Sequence, residues 1–229
     1  LLANNTHHLK VAMQMKPVCA YPSHTTHINK EKIMAHMAPL PKDTTPQLAD
    51  DFAIFEQILG FVPNSLLTMQ RRPEIVRGFG VLTKAVMAQE GIVDLGFKRL
   101  LAHFSSRAAG CQYCEAHSLI AAKIHGITDE KVAAVWEYQT SPLYSDAERV
   151  ALDYALAAGS VPNAVDEPLM ARMRVHWDED EIVEILAAIC LYGFLNRWND
   201  SMATDLEAAP KALGEEVLAQ GGWTGGKHV

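Results

Sequence analysis

At 229 residues, with 49% of them apolar, the chain is long enough for one globular domain or a tightly joined pair, and its composition excludes a disordered protein. A net charge of −7, a pI near 5.8 and no clustered Lys or Arg argue against a nucleic-acid surface, and no apolar run reaches membrane-spanning length. Four unevenly spaced cysteines do not make a disulfide framework, which points to a reducing, cytoplasmic setting.

Residues 1–44 read as a flexible or poorly packed arm. They carry five of the ten histidines (His7, His8, His24, His27 and His36), several prolines and no sustained period. A His-rich stretch can bind metal, but spacing this scattered fits a solvated segment. Met15 to Ala20 has the look of a secretory start, yet Val11 to Met15 is too short and too polar for its apolar region. The missing initial methionine reads as the start of a fragment. Cys19 lies in this arm and is given no role.

From residue 45 to 208 the pattern is helical throughout. Thr45-Pro46 offers an N-cap with proline at the first helical position, and Leu48, Phe52, Phe55, Ile58 and Leu59 recur at helical spacing up to Gly60. Val62-Pro63-Asn64 is a turn. Helices are expected over 66–70 and 74–89, split by Arg71-Arg72-Pro73, with Gly91 ending the run. Asp94 caps a helix that carries Leu95, Leu100, Leu101 and Phe104 as far as Ala109.

Gly110 breaks that helix, because glycine reaches positive φ without a Cβ penalty. Behind it come Cys111-Gln112-Tyr113-Cys114-Glu115-Ala116-His117, two cysteines three apart and a histidine three further on. A helix start places both thiols where unpaired N–H groups and the dipole favour a thiolate. At about 100° per residue, His117 falls about 60° from Cys114 and about 120° from Cys111, so the imidazole is expected to activate Cys114. This is a candidate redox dithiol. Three other readings compete with it. A zinc site lacks its second Cys/His pair unless His103 and His117 complete it. A c-type haem needs histidine where Glu115 stands. Both thiols could also be inert core residues.

After Gly126, Thr128-x-x-Lys131 opens a helix ending near Tyr138, and Ser145-x-x-Glu148 is a capping box for one through Ala158. Val161-Pro162-Asn163 echoes the earlier Val62-Pro63-Asn64. The last two major helices are expected over 167–176 and 179 to about 207, followed by a C-terminal tail over 209–229 that frays from Gly221-Gly222. No stretch alternates as a strand does, so the fold class is all-α, a multi-helix bundle.

The remaining candidates each have a plain structural role beside a functional one. Glu184 can aim a carboxylate at the site or begin a solvated helix. His103 reads as a hydrogen-bonded core histidine, and Tyr113 can pack or donate its O–H. Asn196, Arg197, Asn199 and Asp200 can line a pocket or join subunits. Cys190 reads as inert.

The runs SSRAAGCQYCEAHS and EIVEILAAICLYGFLNRWND resemble the carboxymuconolactone decarboxylase superfamily, on its alkylhydroperoxidase D-like (AhpD-like), peroxidase-related branch, from about Asp50 to Glu207. The resemblance implies an all-helical homo-oligomer, a trimer or hexamer. It also implies reduction of a hydroperoxide substrate, or disulfide exchange, without metal or organic cofactor. Cys114 would then be the attacking thiol, Cys111 the resolving one, and an external dithiol the reductant. Two positions depart from the family pattern. Arg99 stands where a relay glutamate is usual, and Ser118 stands where the histidine is usual, with His117 one residue early. The alternatives are a cofactor-free decarboxylase or lactone-processing enzyme, which generally lacks the Cys pair, and a non-catalytic helical oligomer.

Overall fold

A computed structural model describes residues 35–229, and within them every regular element is helical. The ten α-helices are α1 (Ala49–Leu59), α2 (Asn64–Met69), α3 (Pro73–Val86), α4 (Leu95–Ala108), α5 (Gln112–Ile124), α6 (Asp129–Ala133), α7 (Asp146–Gly159), α8 (Glu167–His176), α9 (Glu179–Met202) and α10 (Ala208–Leu213). Most expected boundaries hold for the expected reasons. Asp94 accepts the Phe97 N–H at 2.8 Å, Thr128 accepts that of Lys131 at 3.2 Å, and Ser145 and Glu148 close a reciprocal capping box. Gly60 and Gly110 take φ of 81° and 75° at the two helix ends where a side chain would be strained.

The hairpin of α4 and α5 lies at the centre, with α9 and α7 packed on it. Leu100, Leu101 and Phe104 of α4 join Leu119 of α5, Leu152 of α7 and Ile185 of α9 in the main core. Burying each such side chain is worth about 1.5–3 kcal/mol. A second cluster, Leu48, Phe52, Leu66, Met69 and Val76, holds α1–α3 together. Between the two lies a third, built around Cys111, Tyr113, Cys114, Leu191 and Tyr192. Lys98, almost wholly buried, lies 3.0 Å from Glu184 of α9, whose carboxylate also accepts the Ile92 and Val93 N–H groups. Glu184 therefore fastens the α3–α4 connection, half-buried, and is not among the residues beside the thiols.

Several expectations need correction. Thr45 makes no capping bond; its Oγ1 reaches the Gln70 carbonyl at 3.5 Å, and a single 3₁₀ turn over Pro46–Leu48 precedes α1. The helix expected to reach residue 89 ends at Val86. The arm expected over 1–44 lies outside the described residues up to 34, along with Cys19 and four of its histidines. Its end is docked: His36 N–H donates to Met202 O at 2.9 Å and Leu40 N–H to Leu67 O at 3.1 Å. Those carbonyls sit in the last turns of α9 and α2, which have no acceptor duty inside their own helices.

The C-terminal helix also stops earlier than its apolar pattern suggests. Ala203 takes a left-handed conformation, φ 46° and ψ 46°, and turns the chain back towards α5. The tail then does not fray. Trp223 is buried and donates its indole N–H to Gln112 O at 3.2 Å, and His228 is buried and bonded to Thr204 O. An aromatic ring that fills a slot beside Gly214 and finds a partner for its N–H at the start of α5 gives the segment an anchor despite its glycines. Among the described residues no helix is long and apolar enough to cross a membrane.

Candidate active site

The site forms where α5 begins. Cys111 is the N-cap, with extended backbone, and its sulfur accepts the Cys114 N–H at 3.4 Å. Both cysteines are free thiols and both are buried. Cys114 Sγ also receives a hydrogen bond from Asn199 Nδ2 of α9 at 3.4 Å. Burial pushes the Cys114 thiol well above its ordinary value; its bond to Cys111 pushes the same way, and Asn199 opposes both. At rest near neutral pH this sulfur is therefore a protonated thiol, contrary to the thiolate that a helix start alone suggests.

His117 is not the partner of Cys114. Its ring stacks on Tyr113 one turn earlier, centroids 4.2 Å apart at 21°, and Phe61 meets it edge-on. Its Nε2–H donates to Glu207 Oε2 at 2.6 Å. The other Glu207 oxygen accepts the Tyr113 O–H at 2.9 Å and the Asn64 N–H at 2.5 Å. Burial alone would raise the Glu207 carboxyl, but the His117 charge and these donors bring it below the usual carboxylate value. Tyr113 is pushed far above its ordinary value by burial and by the same carboxylate, so it stays a hydroxyl donor. The helical-wheel angle puts His117 near Cys114, but a long side chain on a helix leans back over the preceding turn, here onto Tyr113.

Glu207 was invisible to sequence reasoning as a site residue. It lies ninety residues beyond His117 and follows the left-handed turn at Ala203, for which alanine gives no signal. Asn199 was one of four polar candidates on α9; the structure brings it to the sulfur, while Arg197 is exposed and donates to Gly193 O at 3.3 Å on its own helix.

A cavity of about 90 Å³ opens beside the thiols, walled by Phe55, Phe79, Tyr113, Leu191 and Tyr192. Cys114, His117 and Asn199 line it, whereas Cys111 sits behind Cys114 and does not. Arg99 also lines it, and donates from Nη1 to the Tyr192 hydroxyl at 3.3 Å.

His103 is a core histidine, as expected. Its ring nitrogen Nδ1 lies 2.9 Å from Glu115 O, and burial lowers its pKa to about 4. Glu115, also buried, is raised to about 7 by desolvation even though Arg107 lies 3.1 Å away. Among the described residues no three His, Cys, Asp or Glu side chains converge to hold a metal, so His103 and His117 do not complete a zinc site with the cysteines. Cys190 is exposed on α9 and lies beside a separate, more open cavity.

A model of the carboxymuconolactone decarboxylase family matches residues 73–157. The debrominase Bmp8 has been solved without ligand and, with one cysteine changed to alanine, in complex with 2,3,4-tribromopyrrole. Against the latter this chain is 39% identical with a TM-score of 0.74, covering 79% of this chain and 96% of that one. An uncharacterized peroxidase-related protein with an AhpD core, from Ralstonia eutropha JMP134, is 23% identical over 76% of this chain and 94% of its own. With a TM-score of 0.63 it shares the fold. The uncharacterized protein YnjA of Escherichia coli K12 is 39% identical over 93 residues, and the chain spans half the length of that relative.

Proposed function

The chain belongs to the carboxymuconolactone decarboxylase family, and from that premise we propose that it is a thiol-dependent oxidoreductase in which Cys114 attacks and Cys111 resolves. One observation carries the reading: of two adjacent free thiols, Cys114 alone lines the apolar cavity, and Cys111 lies directly behind it. A substrate in the cavity meets one sulfur, and the second is in place to displace it.

The substrate class that fits best is a small halogenated aromatic. The walls are aromatic and aliphatic, Arg99 replaces a relay carboxylate, and the debrominase at 39% identity binds a brominated pyrrole. The reaction balances as reductive dehalogenation. A carbon–bromine bond breaks, a carbon–hydrogen bond forms, and the two thiols become a disulfide. Bromide and one proton leave, and the dithiol supplies both electrons. An external dithiol must then reduce the disulfide.

A second reading, hydroperoxide reduction, draws support from the Tyr113–Glu207–His117 set at the cavity wall, which can protonate a departing alkoxide. There the O–O bond breaks, the attacking sulfur becomes a sulfenic acid, and Cys111 condenses with it to release water. The test is to expose the reduced protein separately to a bromophenol and to an organic hydroperoxide. Loss of the Cys111 and Cys114 thiols is followed together with free bromide. Stoichiometric thiol loss with bromide release supports dehalogenation; thiol loss with hydroperoxide alone supports the second reading; intact thiols in both overturn the redox proposal.

The outer face of α9 carries an exposed stripe of Val183, Leu186, Cys190 and Phe194. Such a stripe fits burial against further copies of the chain, and homo-oligomerisation is part of the proposal.

A further inference from the structure

Three polar groups at the cavity beside Cys114 are not accounted for by the fold. Among the described residues the Arg99 Nε is buried without a hydrogen-bond partner, as are the Thr83 hydroxyl and the Asn199 side-chain Oδ1. Arg99 makes one weak bond, to Tyr192, and among the described residues it has no carboxylate partner. Its neighbour in sequence, Lys98, shows the usual arrangement, with Glu184 3.0 Å from its ammonium. Among the described residues no Asp or Glu lines the cavity, and the carboxylate beside its wall, Glu207, is already committed to His117, Tyr113 and Asn64. The result is an apolar chamber that holds a guanidinium with nothing opposite it.

A neutral apolar ligand would leave the Arg99 and Thr83 donors unpaired, and an unpaired buried donor is costly. A ligand with one anionic heteroatom would satisfy both, since each can donate and neither needs to accept. We infer that the cavity takes its aromatic substrate as an anion, an ionised phenol or acidic heterocyclic N–H, with the charge held by Arg99 and Thr83 and the ring against Cys114. This rests on the reading of Cys114 as the attacking thiol, and it makes Arg99 a specificity-determining residue. The departure from the family glutamate then has a purpose: a carboxylate at that position would repel such a substrate.

The test uses the full chain with Cys114→Ser, so that binding is read without turnover. Two probes share a ring and differ in one group: 2,4,6-tribromophenol and its methyl ether, 2,4,6-tribromoanisole. In calorimetric titrations at mildly alkaline pH the phenol should bind at least about tenfold more tightly than the ether. Arg99→Gln should reduce that preference to less than about twofold, and Arg99→Lys should keep most of it. The preference should also vanish in the unsubstituted Arg99 protein as pH falls below the phenol's own pKa, which needs no variant at Arg99. Equal binding of the two probes, or a preference that survives Arg99→Gln, would overturn the inference. Turnover is read separately in the wild type. A tenfold preference without bromide release would sink dehalogenation and leave the anion site standing; equal bromide release from phenol and ether would do the reverse.

Discussion

His117 Nε2 lies 2.6 Å from Glu207 Oε2, and this contact joins the first turns of α5 to the segment that follows α9. Both side chains are largely buried, and the carboxylate accepts from two further donors, so its buried charge is fully hydrogen-bonded. It also sets the histidine's direction. With Nε2 committed to Glu207 and the ring flat on Tyr113, His117 can pass a proton along that set but does not hold the Cys114 sulfur.

Glu207→Gln keeps the shape and removes the charge. It is expected to cost about 1–3 kcal/mol of stability, since it weakens three buried hydrogen bonds at once. The Glu207 carboxyl is held below its ordinary value, so its contribution is present above the unfolded pKa and lost as pH falls through the folded one. Urea midpoints should therefore separate the two proteins near neutral pH and converge in acid. Equal midpoints at neutral pH would mean that the pair contributes nothing.

Cys114 is expected to alkylate slowly near neutral pH and faster as pH rises, because burial holds the thiol protonated. In a background lacking Cys19 and Cys190, limiting iodoacetamide should label Cys114 before Cys111, as only Cys114 lines the cavity. Asn199→Leu removes the hydrogen bond that stabilises the thiolate and should slow labelling further, by about tenfold for each unit of added pKa. Peptide mapping reads both effects. Labelling of Cys111 first in both proteins would reverse the assignment.

Glu115 and His103 oppose each other in pH. The raised Glu115 pKa, about 7, means the native state holds that proton more tightly than the unfolded chain. Its stabilisation is full below the ordinary carboxylate value and is lost as pH rises through 7. The lowered His103 pKa, about 4, acts the other way: its share is full above the ordinary histidine value and is lost as pH falls towards 4. Each is worth up to about 3 kcal/mol. Glu115→Gln should therefore lose stability on acidification from pH about 7 to about 5 more steeply than the wild type. An unchanged profile in that variant would show that Glu115 does not titrate in this range.

Trp223 fastens the C-terminal segment over the start of α5. Trp223→Ala is expected to cost about 3–5 kcal/mol, the usual range for losing a buried tryptophan. Trp223 holds Gln112, the residue after Cys111, so its loss should also uncover Cys111 and raise its iodoacetamide reactivity. Thermal melting and the same labelling experiment test both. A destabilised protein whose Cys111 stays unreactive would separate the anchor from the cover.

The exposed stripe on α9 is expected to be covered in solution. Light scattering at micromolar concentration should give a multiple of the 25.2 kDa chain mass, and Phe194→Glu should lower it. A monomer mass for the wild type would remove the self-association proposal.

The helical class, most helix starts and the position of the Cys pair were legible in the sequence, because each depends on residues within one or two turns. Asp94, Thr128 and Ser145 cap by reaching three residues ahead, and Gly60 and Gly110 stop helices by a local φ. The same short range explains why Cys111 could be placed at a helix start from its preceding glycine. The tail over 221–229 misled for the complementary reason: its glycines are local and suggest fraying, while its anchors, Gln112 and Thr204, are distant in sequence.

What the sequence by itself determined is the set of reactive groups and their spacing along one helix. What only the tertiary structure decided is which groups meet. Ala203 carries no turn signal, yet its left-handed φ ends α9 and returns Glu207 to His117, ninety residues back. Asn199 reaches Cys114 only because α9 packs on α5. Burial, which local sequence does not report, then reverses the sign of the expected effect on Cys114. A helix start favours the thiolate by about 0.3–1 kcal/mol, and the loss of water around a fully buried sulfur outweighs it.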